Sequence, residues 1–267
     1  MKPRFLYLPA LLAAVSAHAF ELNGEAVQGG LMFGQADPGS SITLDQTPVQ
    51  VSIEGRFVIG FGRDETGTRV LRLVGADGSE QLKMLKIITR RYDIETVNGL
   101  PPATVTPDAS SAERIRQEGR MVVNARSRRD ERADYESGFD WPARGRISGV
   151  YGSQRVLNGK PRPPHYGVDV AAPAGTLVHA PADGVITLTH PDMYFSGGTI
   201  ILDHGQGLSS TFLHLSEILV EAGITVIKGD AIGRIGATGR ASGPHLDWRM
   251  NWLDRRVDPQ RLVSAMP

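Results

Sequence analysis

Short runs of alternating or continuously apolar residues, each ended by a glycine turn, restrict this chain to β-structure over most of its length. Val49-Gln50-Val51-Ser52-Ile53 alternates, Phe57-Val58-Ile59-Gly60-Phe61 is apolar throughout, and Val70-Leu71-Arg72-Leu73-Val74 alternates again. Glu54-Gly55, Thr66-Gly67 and Asp77-Gly78 separate or follow these runs. Asp77-Gly78 is a hairpin signal, because both positions tolerate positive φ. Strands at this spacing predict a small β-sandwich over residues 20–98. No histidine falls in that stretch.

Residues 99–137 predict a linker with a charged helix. Leu100-Pro101-Pro102 through Pro107 reads as the linker proper, and Ser110 with Glu113 three residues later forms a capping-box pattern. From Glu113 to Glu136 there are seven arginines and six acidic residues, the mark of a solvated helix laced by i,i+4 pairs rather than of a binding arm. Gly119 argues against one unbroken helix. From Gly138 to the end, short strands and glycine turns return.

The chain has no cysteine, so disulfides and thiolate metal sites are excluded, and a bound metal must rely on His, Asp or Glu. Residues 1–19 read as an export signal. Lys2 and Arg4 precede the apolar run Leu6 to Val15, and Ala17-His18-Ala19 supplies the small-x-small cleavage pattern. Beyond Ala19 no long apolar stretch follows, so no transmembrane segment is expected in the mature chain. Without Lys2 and Arg4 the 29 basic residues fall two short of the 29 acidic ones, a balance that gives no electrostatic case for nucleic acid.

All six remaining histidines lie from His165 onward. In Pro164-His165-Tyr166-Gly167-Val168-Asp169-Val170 the β-branched residues predict a strand, which would set His165 and Asp169 on one face with side-chain-free Gly167 between them. In Ser242-Gly243-Pro244-His245-Leu246-Asp247-Trp248, His245 and Asp247 share one face while Leu246, Trp248 and Met250 take the other. Thr211-Phe212-Leu213-His214-Leu215 is again strand-like, with Leu213 and Leu215 facing away from His214. His179, His190 and His204 read as structural or turn residues.

These stretches, together with Ala172-Pro173-Ala174-Gly175-Thr176, Ala180-Pro181-Ala182-Asp183-Gly184, Asp203-His204-Gly205 and Gly239 through Asp247, resemble the lysostaphin-type (LytM-type) zinc metallopeptidases of cell-wall turnover. The resemblance covers roughly Asp140 to Pro259 and implies an antiparallel β peptidase domain over 138–267. It implies one Zn2+ held by His165, Asp169 and a third ligand, with His214 and His245 as catalytic histidines. Peptidoglycan in the periplasm is the implied substrate. The family's third ligand is a histidine, and this chain has Asp247 in its place. Aspartate also ligates zinc, but a second carboxylate makes the centre less positive and more hospitable to harder divalent ions. The alternative is a catalytically impaired relative that binds a periplasmic cell-wall or division partner and activates an amidase. No HExxH glutamate is present, so the two histidines are the candidate acid–base groups.

Overall fold

The computed structural model describes residues 20–97, 111–157 and 159–266. The stretch 1–19 read as an export signal, the proline-rich stretch 100–107 and Ser110 lie outside the described residues. The described chain is mainly antiparallel β.

The strands between residues 21 and 86 form two small sheets. One holds Glu21–Gly24, Leu31–Gln35 and Arg56–Gly60, the other Thr47–Val49, Ser41–Leu44, Thr68–Val74 and Glu80–Lys86. Leu44, Phe57, Ile59 and Leu71 are fully buried in a shared core. The Asp77-Gly78 turn forms as expected: Gly78 has φ +80°, and the Ser79 amide donates to Asp77 Oδ1 at 2.9 Å. The run expected over Val49–Ile53 is shorter than its alternation suggests. Its strand ends at Val49, because the Ser52 and Arg56 backbones close a turn that leaves Ile53 exposed.

A single α-helix among the described residues, Ala112–Ala125, continues through Gly119. It carries the expected pairs, Arg114–Glu118 at 2.7 Å and Glu113–Arg116 at 2.5 Å. Ser111 occupies the cap position and makes no side-chain cap hydrogen bond. Charge density suggested helix as far as Glu136, yet the helix stops at Ala125. Beyond it the backbone is taken up by the sheet below: the Gln206 amide donates to Asp130 O at 3.0 Å and the Asp134 amide to His204 O at 3.1 Å.

Most of the C-terminal part is one large sheet. Its main path runs Thr225–Val226, Gly184–Met193, Gly197–Asp203, Leu208–Ile218, His245–Trp252, Gly167–Ala171 and Arg146–Gly149. Leu246, Trp248, Met250 and Trp252 alternate inward and are buried with Val168, Val170, Ile200 and Phe212. Truncating Trp248 to alanine would cost about 3–5 kcal/mol at such a position. The same cluster continues into the N-terminal sheets, and Arg63 Nε donates to Gly152 O at 2.9 Å across the junction.

The opposite face of this sheet carries the polar row. Residues directly opposed across antiparallel strands share a face. Leu188 opposes Ile201, Ile201 opposes Thr211, and Thr211 opposes Arg249. Helix residues Val122 and Ala125 pack on Leu188, Met193 and Ile201, so the helix lies along this polar face.

Candidate metal centre

Strand Gly167–Ala171 pairs with His245–Trp252 in a register that sets Asp169 directly opposite Asp247. Two carboxylates facing each other across a strand pair repel unless a positive charge stands between them. His165 supplies one nearby partner. It lies just before the strand rather than in it, held by its amide donating to Ser153 O and its carbonyl accepting from the Gly152 amide, both at 2.8 Å. Ligand atoms from His165, Asp169 and Asp247 all fall within 4.8 Å of one another. His165 Nε2 and Asp169 Oδ1 are 3.1 Å apart but are not aligned for a hydrogen bond, so each stays buried without a hydrogen-bonding partner. Two buried, unpartnered ligand atoms this close together suit a shared cation.

Glycines make the space for these groups. A Cβ on Gly149, the cross-strand partner of Asp169, would stand 2.2 Å from Asp169 Oδ2. A Cβ on Gly167 would stand 2.5 Å from Asp247 Oδ1. The room that Gly167 leaves is therefore filled by the carboxylate of the neighbouring strand, which the sequence pattern alone did not reveal.

Arg249 grips Asp247: Nε lies 3.0 Å from each carboxylate oxygen and Nη2 2.5 Å from Oδ2. Burial alone would raise the Asp247 pKa, but the charge and hydrogen bonds of Arg249 outweigh it and hold the group ionised. Burial opposes a charge on His165 too, yet Asp169 and Asp247 prevail and raise its pKa. Arg249 was not singled out from the sequence. Its position two residues after Asp247, on the same strand face, was the available signal.

His214 and His245 stand beside this cluster, with ring centroids 4.8 Å apart and His245 Nε2 4.0 Å from Asp169 Oδ1. The register opposes Leu213, rather than His214, to Asp247. A regular strand would turn His214 into the core. Instead His214 has φ +64°, a conformation that non-glycine residues adopt rarely and mostly where function holds it. This left-handed step breaks the alternation expected around Leu213 and Leu215 and brings the imidazole to the His245 side. His214 Nδ1 lies 2.8 Å from Thr238 O, and His245 Nδ1 lies 2.8 Å from Gly243 O. A carbonyl only accepts, so in the neutral form each ring carries its proton on Nδ1 and leaves Nε2 free to accept one. Burial lowers the His214 pKa, which keeps that nitrogen unprotonated near neutral pH.

The remaining histidines lie outside the cluster. His204 is fully buried between Asp183 O and Ser210 Oγ, and His179 Nδ1 contacts Gly229 O. His190 sits within strand Gly184–Met193 rather than in a turn, and accepts from the Asp192 amide at 3.1 Å.

An antiparallel sheet here carries a His/Asp/Asp cluster, with its ligand atoms within 4.8 Å of one another, beside two imidazoles anchored through Nδ1. Residues 163–259 match peptidase family M23. A crystal structure of an M23 protein from Pseudomonas aeruginosa is 31% identical, covers 88% of this chain and 93% of that one, and superposes with a TM-score of 0.68. The chain belongs to peptidase family M23. It is also similar to peptidoglycan DD-endopeptidase ShyA of Vibrio cholerae, at 39% identity over 39% of this chain and 25% of that protein. DD-carboxypeptidase/endopeptidase Mpg of Neisseria meningitidis is 37% identical over 39% of this chain and 24% of its own length. The chain thus spans about a quarter of the length of the curated relatives it matches.

Proposed function

We propose that the chain is an exported, zinc-dependent endopeptidase that hydrolyses peptide cross-links of peptidoglycan in the periplasm. The observation that carries this reading is the convergence of His165, Asp169 and Asp247 beside two histidines whose Nδ1 atoms are anchored on backbone carbonyls. Family membership and the relative named as a peptidoglycan DD-endopeptidase support it. Among the described residues no helix is long and apolar enough to cross a membrane.

His165, Asp169 and Asp247 would hold the ion, and Gly149 and Gly167 leave the two carboxylates room to turn toward it. A bound divalent ion there supplies Lewis-acid polarisation of the scissile carbonyl and makes water more acidic. The protein's own part is proton management. One bare imidazole accepts a proton from the attacking water, and a protonated one delivers a proton to the departing amine. Carbonyls of Thr238 and Gly243 fix both rings, so neither reorients during this exchange.

One observation favours the non-catalytic alternative. Arg249 occupies both oxygens of Asp247, which weakens that carboxylate as a ligand. Digestion of purified peptidoglycan separates the two readings. The endopeptidase converts cross-linked species into monomers. Intact stem peptides released from glycan would instead mean amidase chemistry, and no product at all would favour the amidase-activator reading.

A further inference from the structure

Next to the metal cluster, on the same sheet face, three arginines converge. Arg249 opposes Thr211, and Arg126 Nη2 donates to Thr211 Oγ1 at 2.8 Å. Arg256 opposes Asn251 and donates to its Oδ1 at 3.1 Å. Asn251 lies two residues beyond Arg249, so all these side chains rise from one face. The Arg256 guanidinium also sits 5.7 Å from the centre of the Tyr166 ring, next to His165.

The charges do not balance. Arg249 is committed to Asp247. Among the described residues neither Arg126 nor Arg256 has a carboxylate partner within 4 Å, and Arg126 Nε is buried with no hydrogen-bonding partner. Burial, then repulsion from Arg256 and Arg249, pulls the Arg126 pKa down to about 9. Guanidinium is the weakly hydrated, planar donor that binds carboxylates two bonds at a time. Two such groups left without an anion, over a sheet face partly open to solvent, make a receptor for one. The Arg249 side chain is 28% exposed, so the cluster reaches water.

We propose that Arg126 and Arg256, with Arg249 behind them, form a subsite for a free carboxylate of the substrate. Arg249 follows Asp247 by two strand residues, which places the subsite about 7 Å along the sheet from the metal ligands. An extended peptide spans the same distance in about two residues. The preferred substrate therefore carries an unamidated carboxylate within one or two residues of the scissile bond. Arg126 comes from the end of the charged helix, so that helix contributes to recognition as well as to solvation. This specificity rests on the peptidase reading, but the binding subsite is testable without turnover.

The test is an NMR titration of the zinc-loaded full chain with N-acetyl-D-alanine and, in parallel, with its carboxamide. The carboxylate should bind at least about tenfold more tightly, as expected for charge-assisted hydrogen bonds. Arg126→Gln and Arg256→Gln should erase that preference at unchanged zinc content, and Arg256→Lys should keep part of it. Equal binding of acid and amide overturns the subsite. So does a carboxylate preference that survives in both variants, because the metal then accounts for it. A protein that shows the preference yet leaves peptidoglycan uncut retains the subsite and refutes only the peptidase reading.

Discussion

Asp203 and His204 are adjacent, both buried, and titrate in opposite directions. Burial pushes Asp203 up to about 6 from 3.8, despite Arg132 beside it. Burial pulls His204 down to about 4 from 6.5. For Asp203 the folded state holds a proton that the unfolded chain has released, so its stabilisation is present below pH 3.8 and is lost as pH rises toward 6. For His204 the unfolded chain holds the proton, so stability is full above pH 6.5 and is lost as pH falls toward 4. Each gap is worth about 3 kcal/mol, and between pH 4 and 6 the two nearly cancel. Asp203→Asn removes one side of that balance. Urea denaturation of both proteins from pH 4 to 7 should give stability curves whose difference changes by about 3 kcal/mol, with the variant gaining on wild type as pH rises. Imidazole NMR of wild type should show His204 neutral down to pH 5. Parallel curves, or a His204 resonance titrating near 6.5, would refute the reasoning.

Gly149→Ala keeps an allowed backbone but drives a methyl into Asp169, 2.2 Å from Oδ2, so the carboxylate must move by about 1 Å against a metal-ligand tolerance of about 0.2 Å. Calorimetric zinc titration should show at least a tenfold loss of affinity, while overpacking costs only about 1–3 kcal/mol of stability. His214→Ala and His245→Ala should each retain zinc and lose about 10²–10⁴-fold in turnover, measured on cross-linked peptide. Loss of zinc from His245→Ala would make His245 a ligand. Asp247→His should retain zinc and, through a more positive centre, extend activity to lower pH in a pH–rate profile.

Much of the fold was legible because β-structure announces itself in period-two patterns and glycine turns. Leu246, Trp248 and Met250 alternate into the core as their spacing requires. Five candidate site residues gather in one place; the same pattern sets all five on strands, and four of them lie there. What the pattern hid were departures from it. His165 precedes its strand, and His214 reaches the cluster only through a left-handed step that no alternation rule anticipates. The Asp169–Asp247 register, the Gly149 cradle and the arginine cluster depend on which strands become neighbours. Strand pairing is a long-range choice, and local sequence carries little of it.

Metal content of the purified protein tests the central claim most directly. Incubated with zinc and dialysed, wild type should retain about one ion per chain by elemental analysis, as expected of a three-ligand site. Asp169→Ala and Asp247→Ala should each retain almost none while staying folded by circular dichroism. Wild type that emerges without metal, or an Asp169→Ala variant that holds as much zinc as wild type, would contradict the assigned centre.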